Sequence, residues 1–460
     1  MQKKQIKAAL LKREVLKQTW SVCPVCLERI AAERVAYGKN IYLEKTCPEH
    51  GFFKTLVWQV KPYYQEWLRQ ENNTEPSHNE TAALKGCPYD CGICPEHKQE
   101  ACCVLIELTQ RCNQACKYCF ADAGSQMPEM SLAELDSLFD FLMQKNKQDP
   151  FFLQLSGGEP TMREDLLEII ALAKSKGFPY LQLNTNGKRL AESEAYAQSL
   201  AKTGLNIVFL QFDGTDDEIY RAIRNEALFE TKKKAIANCR KAGLGVVLVV
   251  TAVPKINTDN IGSIIDFMLA NLPAVRGIHF QPVSYFGRFP KAPQDDERFT
   301  IPQLLSAIEE QSGSRLKAAD FLPLLSGHCL CSFHGNFVQM EDGSITSIAA
   351  PKAAGCCSCK QDAIVQARNY IAQKWSQSQK LKASARGADY DFTDWDSFIK
   401  RININGFSIT AMAFQDCWNL DLERLQKCRV YVATPAHRLI PFCAYNLTDT
   451  EGRNLYGRYT

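Results

Sequence analysis

The chain has 460 residues, a length that fits two to four domains or one barrel with appended segments. Hydrophobic residues make up 45% and charged residues 23%, while the formal net charge is only +3. These values indicate a globular protein with a sizeable core and without the basic footprint of a nucleic-acid-binding protein. The sequence shows neither a membrane-spanning apolar run nor a secretory apolar segment, so we expect a cytoplasmic protein.

Cysteine usage is the unusual feature of the composition. The sequence contains 20 cysteines but only 7 histidines, and most of the cysteines recur at spacings of two to four residues. Disulfide scaffolds are typically short and secreted, which this chain is not expected to be. Clustered thiols in a reducing compartment favour metal ligation, and iron–sulfur clusters use the most thiolates.

The first twenty residues carry six basic side chains and one acidic side chain. This pattern is compatible with an amphipathic helix in peripheral contact with an anionic membrane surface. A solvated helix or arm is the simpler interpretation, since charge runs usually face water.

Residues 1–80 are predicted to form an N-terminal domain around a mononuclear metal. Two short ligand pairs about twenty residues apart match a zinc-knuckle or rubredoxin-like site for zinc or iron. The candidate ligands are Cys23, Cys26, Cys47 and His50. The fourth ligand is left open between His50 and a cysteine from elsewhere.

Residues 81–102 are predicted to form a loop around an auxiliary [4Fe–4S] cluster. Four thiols lie within sixteen residues, with glycines and prolines between them: Cys87, Cys91, Cys94 and Cys102. Cys102 is preferred over Cys103 as the fourth ligand, because Cys103 would open the strand that follows.

A second set with the same spacing, Cys112, Cys116 and Cys119, has a different setting. A strand-like run precedes it at residues 104–109, and a helical pattern follows at 131–145. The next cysteine downstream is Cys239. Three thiolates would hold a [4Fe–4S] cluster and leave one iron open to a ligand.

Strands and helices are then predicted to alternate. The strands are expected at 151–156, 180–184, 207–212, 246–253 and 278–282, and the helices at 163–176, 192–202, 217–241 and 260–271. The fold class is therefore α/β, with a partial (βα)6 parallel barrel over residues 103–285. Chemistry should lie at the carboxyl ends of its strands.

Those strand ends carry polar residues. The second strand is followed by Gly157, Gly158, Glu159 and Pro160, the third by Asn184 and Asn186, and the fourth by Asp213, with Arg221 and Arg224 beyond it. Each motif alone is common in turns. Together they predict a site for a polar, zwitterionic ligand.

Residues 286–460 are predicted to form a C-terminal domain with a further cluster and part of the substrate site. Seven or eight thiols compete there for about four ligand positions. The preferred set is Cys329, Cys356, Cys428 and Cys443.

The three-cysteine motif with Phe120, together with residues 157–160, resembles the radical S-adenosylmethionine (AdoMet) superfamily. The resemblance implies that the open iron chelates the amino and carboxylate groups of AdoMet. It also implies that Tyr118 packs near the adenine and that Glu159 contacts the amino group. Asn184, Asn186 and Asp213 are expected to contact the ribose and the carboxylate.

The flanking motifs resemble the subgroup that contains archaeal tetraether lipid synthases and the pterin methylase-like proteins of methanogens. They include residues 86–97, 210–214 and 440–446, although Cys417 departs from the pattern. The resemblance implies two to three [4Fe–4S] clusters, a mononuclear site, and a low-potential electron donor such as ferredoxin or flavodoxin. The auxiliary clusters would relay electrons or serve structure.

The activity implied is hydrogen-atom abstraction from an unactivated carbon by a 5′-deoxyadenosyl radical. The outcome would be C–C bond formation, alkylation or methylation of a lipid or of a small-molecule cofactor precursor. The alternative is a peptide- or protein-modifying maturase with auxiliary clusters. Residues 1–80 look like a metal knuckle, whereas a maturase would favour a peptide-recognition module there.

Overall fold

The computed structural model describes residues 12–59, 62–68, 84–92, 94–99, 101–124, 127–145, 151–323, 327–348 and 404–456. The predicted ligand Cys356 lies outside these ranges. Within them, no helix has the length and apolar character that crossing a membrane requires.

The N-terminal region is a four-stranded antiparallel meander followed by a short helix. Its elements are β1 (Arg13–Val22), β2 (Arg29–Tyr37), β3 (Asn40–Cys47), β4 (Gly51–Gln59) and α1 (Tyr64–Leu68). Over residues 13–20 the predicted helix or arm is therefore wrong, because this segment pairs along β2. Its cations meet the protein's own carboxylates: Arg13 lies 2.9 Å from Glu44, and Lys17 lies 2.6 Å from Glu423.

The predicted parallel array is confirmed. Six strands lie side by side in chain order: β5 (Cys103–Thr109), β6 (Phe152–Gly157), β7 (Leu181–Thr185), β8 (Ile207–Gln211), β9 (Gly245–Ala252) and β10 (Val275–Pro282). The crossovers contain α2 (Leu132–Lys145), α3 (Leu166–Ser175), α4 (Lys188–Glu192), α5 (Glu194–Thr203), α6 (Asp217–Arg224), α7 (Phe229–Ala242) and α8 (Ile261–Ala270). The fold is thus the α/β partial (βα)6 barrel.

Two predicted helices are each divided in two. The helix expected at 217–241 ends at Asn225, whose φ of +65° is left-handed and closes α6. The helix expected at 192–202 becomes α4 and α5, because Ser193 adopts an extended conformation and caps α5 through its side chain.

The segment after residue 285 extends the same sheet at both ends. Beyond β10 lie β13 (Gly406–Met412), which is parallel to it, then β11 (Ser332–Gln339) and β12 (Ile345–Ser347). Beyond β5 lie β14 (Val430–Ala433), also parallel, and β15 (Leu439–Pro441). Three helices accompany them: α9 (Ile301–Gln311), α10 (Leu422–Gln426) and α11 (Phe442–Tyr445). The division into four domains stays a prediction, since the sheet runs across the boundary at residue 285.

Alternation along the strands separates two faces of this sheet. Leu153, Leu155, Leu183 and Val208 belong to the main hydrophobic core, where the helices pack. The residues between them face the inside of the open barrel. The core therefore lies between strands and helices, and the inner face is left to form a site.

Candidate active site and metal centres

The loop that carries Cys112, Cys116 and Cys119 follows β5 and lies over the carboxyl end of the sheet. The Lys117 amide donates to the Ile223 carbonyl of α6 at 2.9 Å. Cys119 and Arg288 exchange two backbone hydrogen bonds of 2.9 Å each. These contacts fix the three thiols at the open end of the barrel.

The three thiols lie close enough to interact electrostatically, because Cys116 and Cys119 both contribute to the raised pKa of Cys112. Burial, with a further contribution from Glu159, raises the pKa of the Cys112 thiol to about 12, so it would stay protonated without a cation. A bound metal deprotonates a coordinating thiol outright. Among the described residues, only an N-terminal group lies close enough to surround a single ion. The more widely spaced trio suits a polynuclear iron–sulfur cluster.

Gly157 and Gly158 allow the end of β6 to lie against this loop. Gly157 has a φ of +129°, and a Cβ on it would lie 2.3 Å from the Thr109 carbonyl oxygen. A Cβ on Gly158 would lie 2.3 Å from the Arg111 carbonyl oxygen. Larger residues would therefore force the strand end and the cysteine loop apart.

The buried Glu159 joins the ends of β6 and β7. One carboxylate oxygen accepts hydrogen bonds from the Thr161 hydroxyl and the Thr185 hydroxyl, each at 2.7 Å. The other oxygen accepts a hydrogen bond from the backbone N–H of Asn186 at 2.7 Å. Pro160 begins the short 3-10 turn that carries Thr161. The predicted contact of Glu159 with the amino group of AdoMet stays a prediction.

Asn184 and Asn186 occupy different places although they are two residues apart. The Asn186 side chain donates to Asn113, next to Cys112, at 2.7 Å, so it ties β7 to the cysteine loop. Asn184 points into the barrel, where its amide oxygen accepts from Gln182 at 2.8 Å. Of the two, only Asn186 contacts the loop through its side chain.

Asp213 forms a bidentate ion pair with Arg224, at 2.7 and 2.8 Å, and both side chains are buried. Arg224 also donates to the Tyr118 carbonyl at 2.9 Å and lies within hydrogen-bonding range of the Cys116 sulfur. Asp213 thus positions an arginine that holds the loop. Its predicted contact with AdoMet stays a prediction.

Arg224 is the positioning residue that the sequence analysis noted without assigning a role. The sequence feature that could have indicated this role is its position on the helix that follows the Gln-Phe-Asp-Gly turn. Tyr118 packs against an apolar group that includes Val253, Val283 and Trp418. Such a wall suits an adenine ring, as the resemblance implies.

The inner face of the barrel carries an apolar patch around Tyr180 and Phe209 and, beside it, a row of polar side chains. The Gln154 amide donates to the Cys103 sulfur at 2.9 Å, and Asn184 donates to Gln154 at 3.4 Å. His279 contacts the Thr410 hydroxyl at 2.8 Å. These side chains were not predicted from the sequence, although single glutamines inside apolar strands, as in Leu153-Gln154-Leu155, could have indicated them.

A carboxylate also lies on this face. Glu107 of β5 is buried and accepts hydrogen bonds from Gln110 at 2.9 Å and from the Tyr445 hydroxyl at 3.0 Å. Beside this carboxylate, the side-chain oxygen Oε1 of Gln110 is buried without a hydrogen-bond partner. A buried acceptor of this kind is suited to a ligand that carries N–H groups.

The N-terminal metal candidates come together at the turns of the meander. Cys23, Cys26, Cys47 and His50 place one ligand atom each within 4.8 Å of one another. Nδ1 of His50 lies 3.4 Å from the Cys47 sulfur and 3.6 Å from the Cys23 sulfur. A tetrahedral zinc or iron ion fits this donor set.

The other predicted cluster ligands divide into groups. Cys87 and Cys94 interact electrostatically with Cys91, so these three thiols lie together. Cys428 and Cys443 interact with each other, and Cys443 packs in the same apolar cluster as Cys87 and Cys91, whereas the sulfur of Cys329 lies 3.8 Å from Nδ1 of His328. The ligand sets stay predictions.

The family comparisons agree with this geometry. Residues 106–268 match the Radical SAM superfamily, and residues 15–59 match the HMPTM N-terminal zinc ribbon domain. The chain is 33% identical to the 7,8-dihydro-6-hydroxymethylpterin dimethyltransferase of Methanocaldococcus jannaschii, over 94% of this chain and 93% of that protein.

More distant similarities cover less than half of this chain. A probable GTP 3′,8-cyclase of Methanothermobacter thermautotrophicus is 32% identical over 31% of this chain and 46% of its own. The structure of Streptococcus suis SuiB bound to its precursor peptide SuiA covers 47% of this chain and 46% of its own, with 13% identity and a TM-score of 0.39. The last likeness is too slight to indicate function. From its cysteine loop, its barrel and its full-length relative, the chain belongs to the radical AdoMet superfamily, as an enzyme of the pterin methyltransferase-like subgroup.

Proposed function

We propose that this enzyme adds a one-carbon unit from a methyl or methylene donor to a ring carbon of a pterin-like heterocycle. The unit takes the place of a hydrogen atom removed by radical AdoMet chemistry, and a low-potential electron donor supplies the electrons. The observation that carries the proposal is the row of polar side chains on the inner face of the barrel. An alkyl chain of a lipid would need an apolar channel. The inner face holds one apolar patch, around Tyr180 and Phe209, and the half-buried polar side chains beside it are Gln154, Asn184, Gln211 and His279.

Similarity to a pterin dimethyltransferase over nearly the whole of both chains supports the same substrate class. The Glu107 carboxylate suits the pyrimidine edge of a pterin, which presents adjacent N–H donors. Hydrogen bonds between a carboxylate and such donors are strong and directional in a buried site. Tyr445 and Gln110 hold that carboxylate in place.

When bound, the cluster and AdoMet supply a reductively generated organic radical that removes a hydrogen atom from the substrate. The chain's own residues position the reactants. Arg224 and Asn186 fix the cysteine loop, and Tyr118 lines the wall beside it. Burial lowers the pKa of His279 to about 4, so a neutral imidazole faces the substrate near pH 7.

The test is substrate-triggered cleavage of AdoMet. Reconstituted enzyme, reduced with dithionite, is given 6-hydroxymethyl-7,8-dihydropterin deuterated on its ring carbons, and 5′-deoxyadenosine is analysed by mass spectrometry. We expect the pterin to stimulate its formation and deuterium to appear in it. Glu107→Gln should raise the KM for pterin more than it lowers kcat, because it weakens recognition of ring N–H donors.

Controls separate the competing substrate classes. A diether lipid in detergent and a short unstructured peptide are offered under the same conditions. Stimulation by the lipid or by the peptide, with none by the pterin, would contradict the proposal and favour tetraether-type coupling or a maturase.

A further inference from the structure

Strand register gathers cysteines from distant parts of the chain at one end of β14. β14 pairs in parallel with β5, with Val430 opposite Cys103, so Cys102 and Cys428 flank the same end of the two strands. The Cys102 amide donates to the Arg429 carbonyl at 3.0 Å. The two thiols approach neighbouring carbonyls: Cys102 that of Arg429 at 3.5 Å, and Cys428 that of Val430 at 3.2 Å.

The antiparallel partner of β14 brings a third thiol to this end. Tyr431 lies opposite Pro441, so Cys443, two residues later, comes beside Cys428. The Phe442 amide lies within hydrogen-bonding range of the Cys428 sulfur. The backbone N–H of Gln415 donates to the Cys443 sulfur at 3.3 Å. Amides directed at sulfur are typical of thiolates that hold metal clusters.

The fourth thiol is that of Cys331, which lies beside Arg424. The Nε and Nη2 atoms of this arginine both lie 3.4 Å from the Cys331 sulfur, and the same guanidinium interacts electrostatically with Cys443. Cys331 and Cys102 in turn both interact electrostatically with Cys428. The guanidinium is buried, so it offsets negative charge that four thiolates would concentrate there.

Cys87 and Cys91 pack in the same apolar cluster as Cys443, and three other cysteines contact groups of their own. The sulfur of Cys329 lies 3.8 Å from Nδ1 of His328, and the Cys329 carbonyl accepts from Trp67 on the N-terminal side. The Cys103 sulfur accepts from Gln154 inside the barrel. Cys417 interacts with Lys45, beneath the N-terminal meander.

We propose that one auxiliary [4Fe–4S] cluster is bound by four thiols from three parts of the chain: Cys102, Cys331, Cys428 and Cys443. The set is too widely spaced for a single ion, since among the described residues only the N-terminal group meets that limit. It changes two expectations. In the C-terminal set Cys331 replaces Cys329, and Cys102 takes the place of Cys356, which lies outside the described residues. Cys102 therefore leaves the set of Cys87, Cys91 and Cys94.

Iron content of paired variants tests the assignment. Each protein is reconstituted anaerobically with iron and sulfide, and iron, sulfide and zinc are counted beside Mössbauer spectra. Cys331→Ala should lose about four irons per chain, one [4Fe–4S] cluster, whereas the matched control Cys329→Ala should lose none. Loss in Cys329→Ala with none in Cys331→Ala would overturn the proposal, as would zinc in place of iron.

Double variants decide the place of Cys102. Cys102→Ala with Cys428→Ala should lose the same one cluster as either change alone. Cys102→Ala with Cys91→Ala should lose two, about eight irons. The reverse pattern would return Cys102 to the Cys91 set. Persistence of the EPR signal that AdoMet perturbs shows that each variant keeps a folded barrel, and this readout does not depend on the substrate.

Discussion

The ion pair between Asp213 and Arg224 allows a quantitative prediction. The Asp213 side chain is fully buried and that of Arg224 is 8% exposed. Asp213→Ala removes the acceptor of two guanidinium hydrogen bonds and of the Thr251 amide, which donates to it at 3.2 Å. The guanidinium then remains buried without its counter-charge. Breaking a buried pair in this way costs about 3–5 kcal/mol.

The free energy of unfolding is measured by anaerobic urea titration of the reconstituted protein. Asp213→Ala should lose about 3–5 kcal/mol. The double variant Asp213→Leu with Arg224→Met should recover a large part of that loss, because it leaves no unpaired charge. It should still bind the radical cluster poorly, since the Tyr118 carbonyl loses its donor.

Two results would refute this reasoning. One is a stability of Asp213→Ala within about 0.5 kcal/mol of the parent, the range of ordinary surface substitutions. The other is a double variant less stable than Asp213→Ala, which would mean that the arginine is not destabilised by loss of its partner.

Three further outcomes are expected. Gly158→Ala should reduce incorporation of the radical cluster, measured as iron and visible absorbance, because its Cβ would lie 2.3 Å from the Arg111 carbonyl oxygen; full incorporation would contradict the packing argument. Arg424→Gln should leave iron content unchanged but shift the midpoint potential of the cluster at Cys331 to a more negative value in an EPR-monitored titration, because a nearby positive charge favours the reduced state; an unchanged potential would place the cluster elsewhere. Burial lowers the pKa of His279 from 6.5 to about 4, so the unfolded chain binds more protons in this range and stability should fall as the pH drops from 6.5 to 4. His279→Gln should make that fall shallower in urea midpoints, and an identical slope would exclude the histidine.

The barrel strands were predictable because each is a short apolar run bounded by turn residues. The turns that follow β6 and β8 were predictable because each comes directly after one of these apolar runs. β1 was not, since its mostly exposed side chains carry no period of two, and its strand conformation depends on pairing with β2. A local sequence pattern does not show which strand a segment pairs with.

The two additional parallel strands were also beyond local reasoning. β13 and β14 are isolated in sequence from the strands beside which they lie, β10 and β5. Cysteine spacing has the same limit. It predicts a local group such as Cys23, Cys26, Cys47 and His50, whose ligand atoms lie within 4.8 Å of one another, but it cannot show that Cys102 and Cys428 are neighbours.

The placement of the last strands has a consequence for the order of assembly. Residues after 404 supply neighbours to both outer strands of the central array, β5 and β10. During synthesis these two edges therefore stay unpaired until β13 and β14 have left the ribosome, and unpaired edges invite aggregation. The Cys102 and Cys428 thiols meet only when β14 docks. Iron delivery to the proposed cluster must follow the synthesis of β14, whereas the N-terminal group can bind its metal earlier in translation.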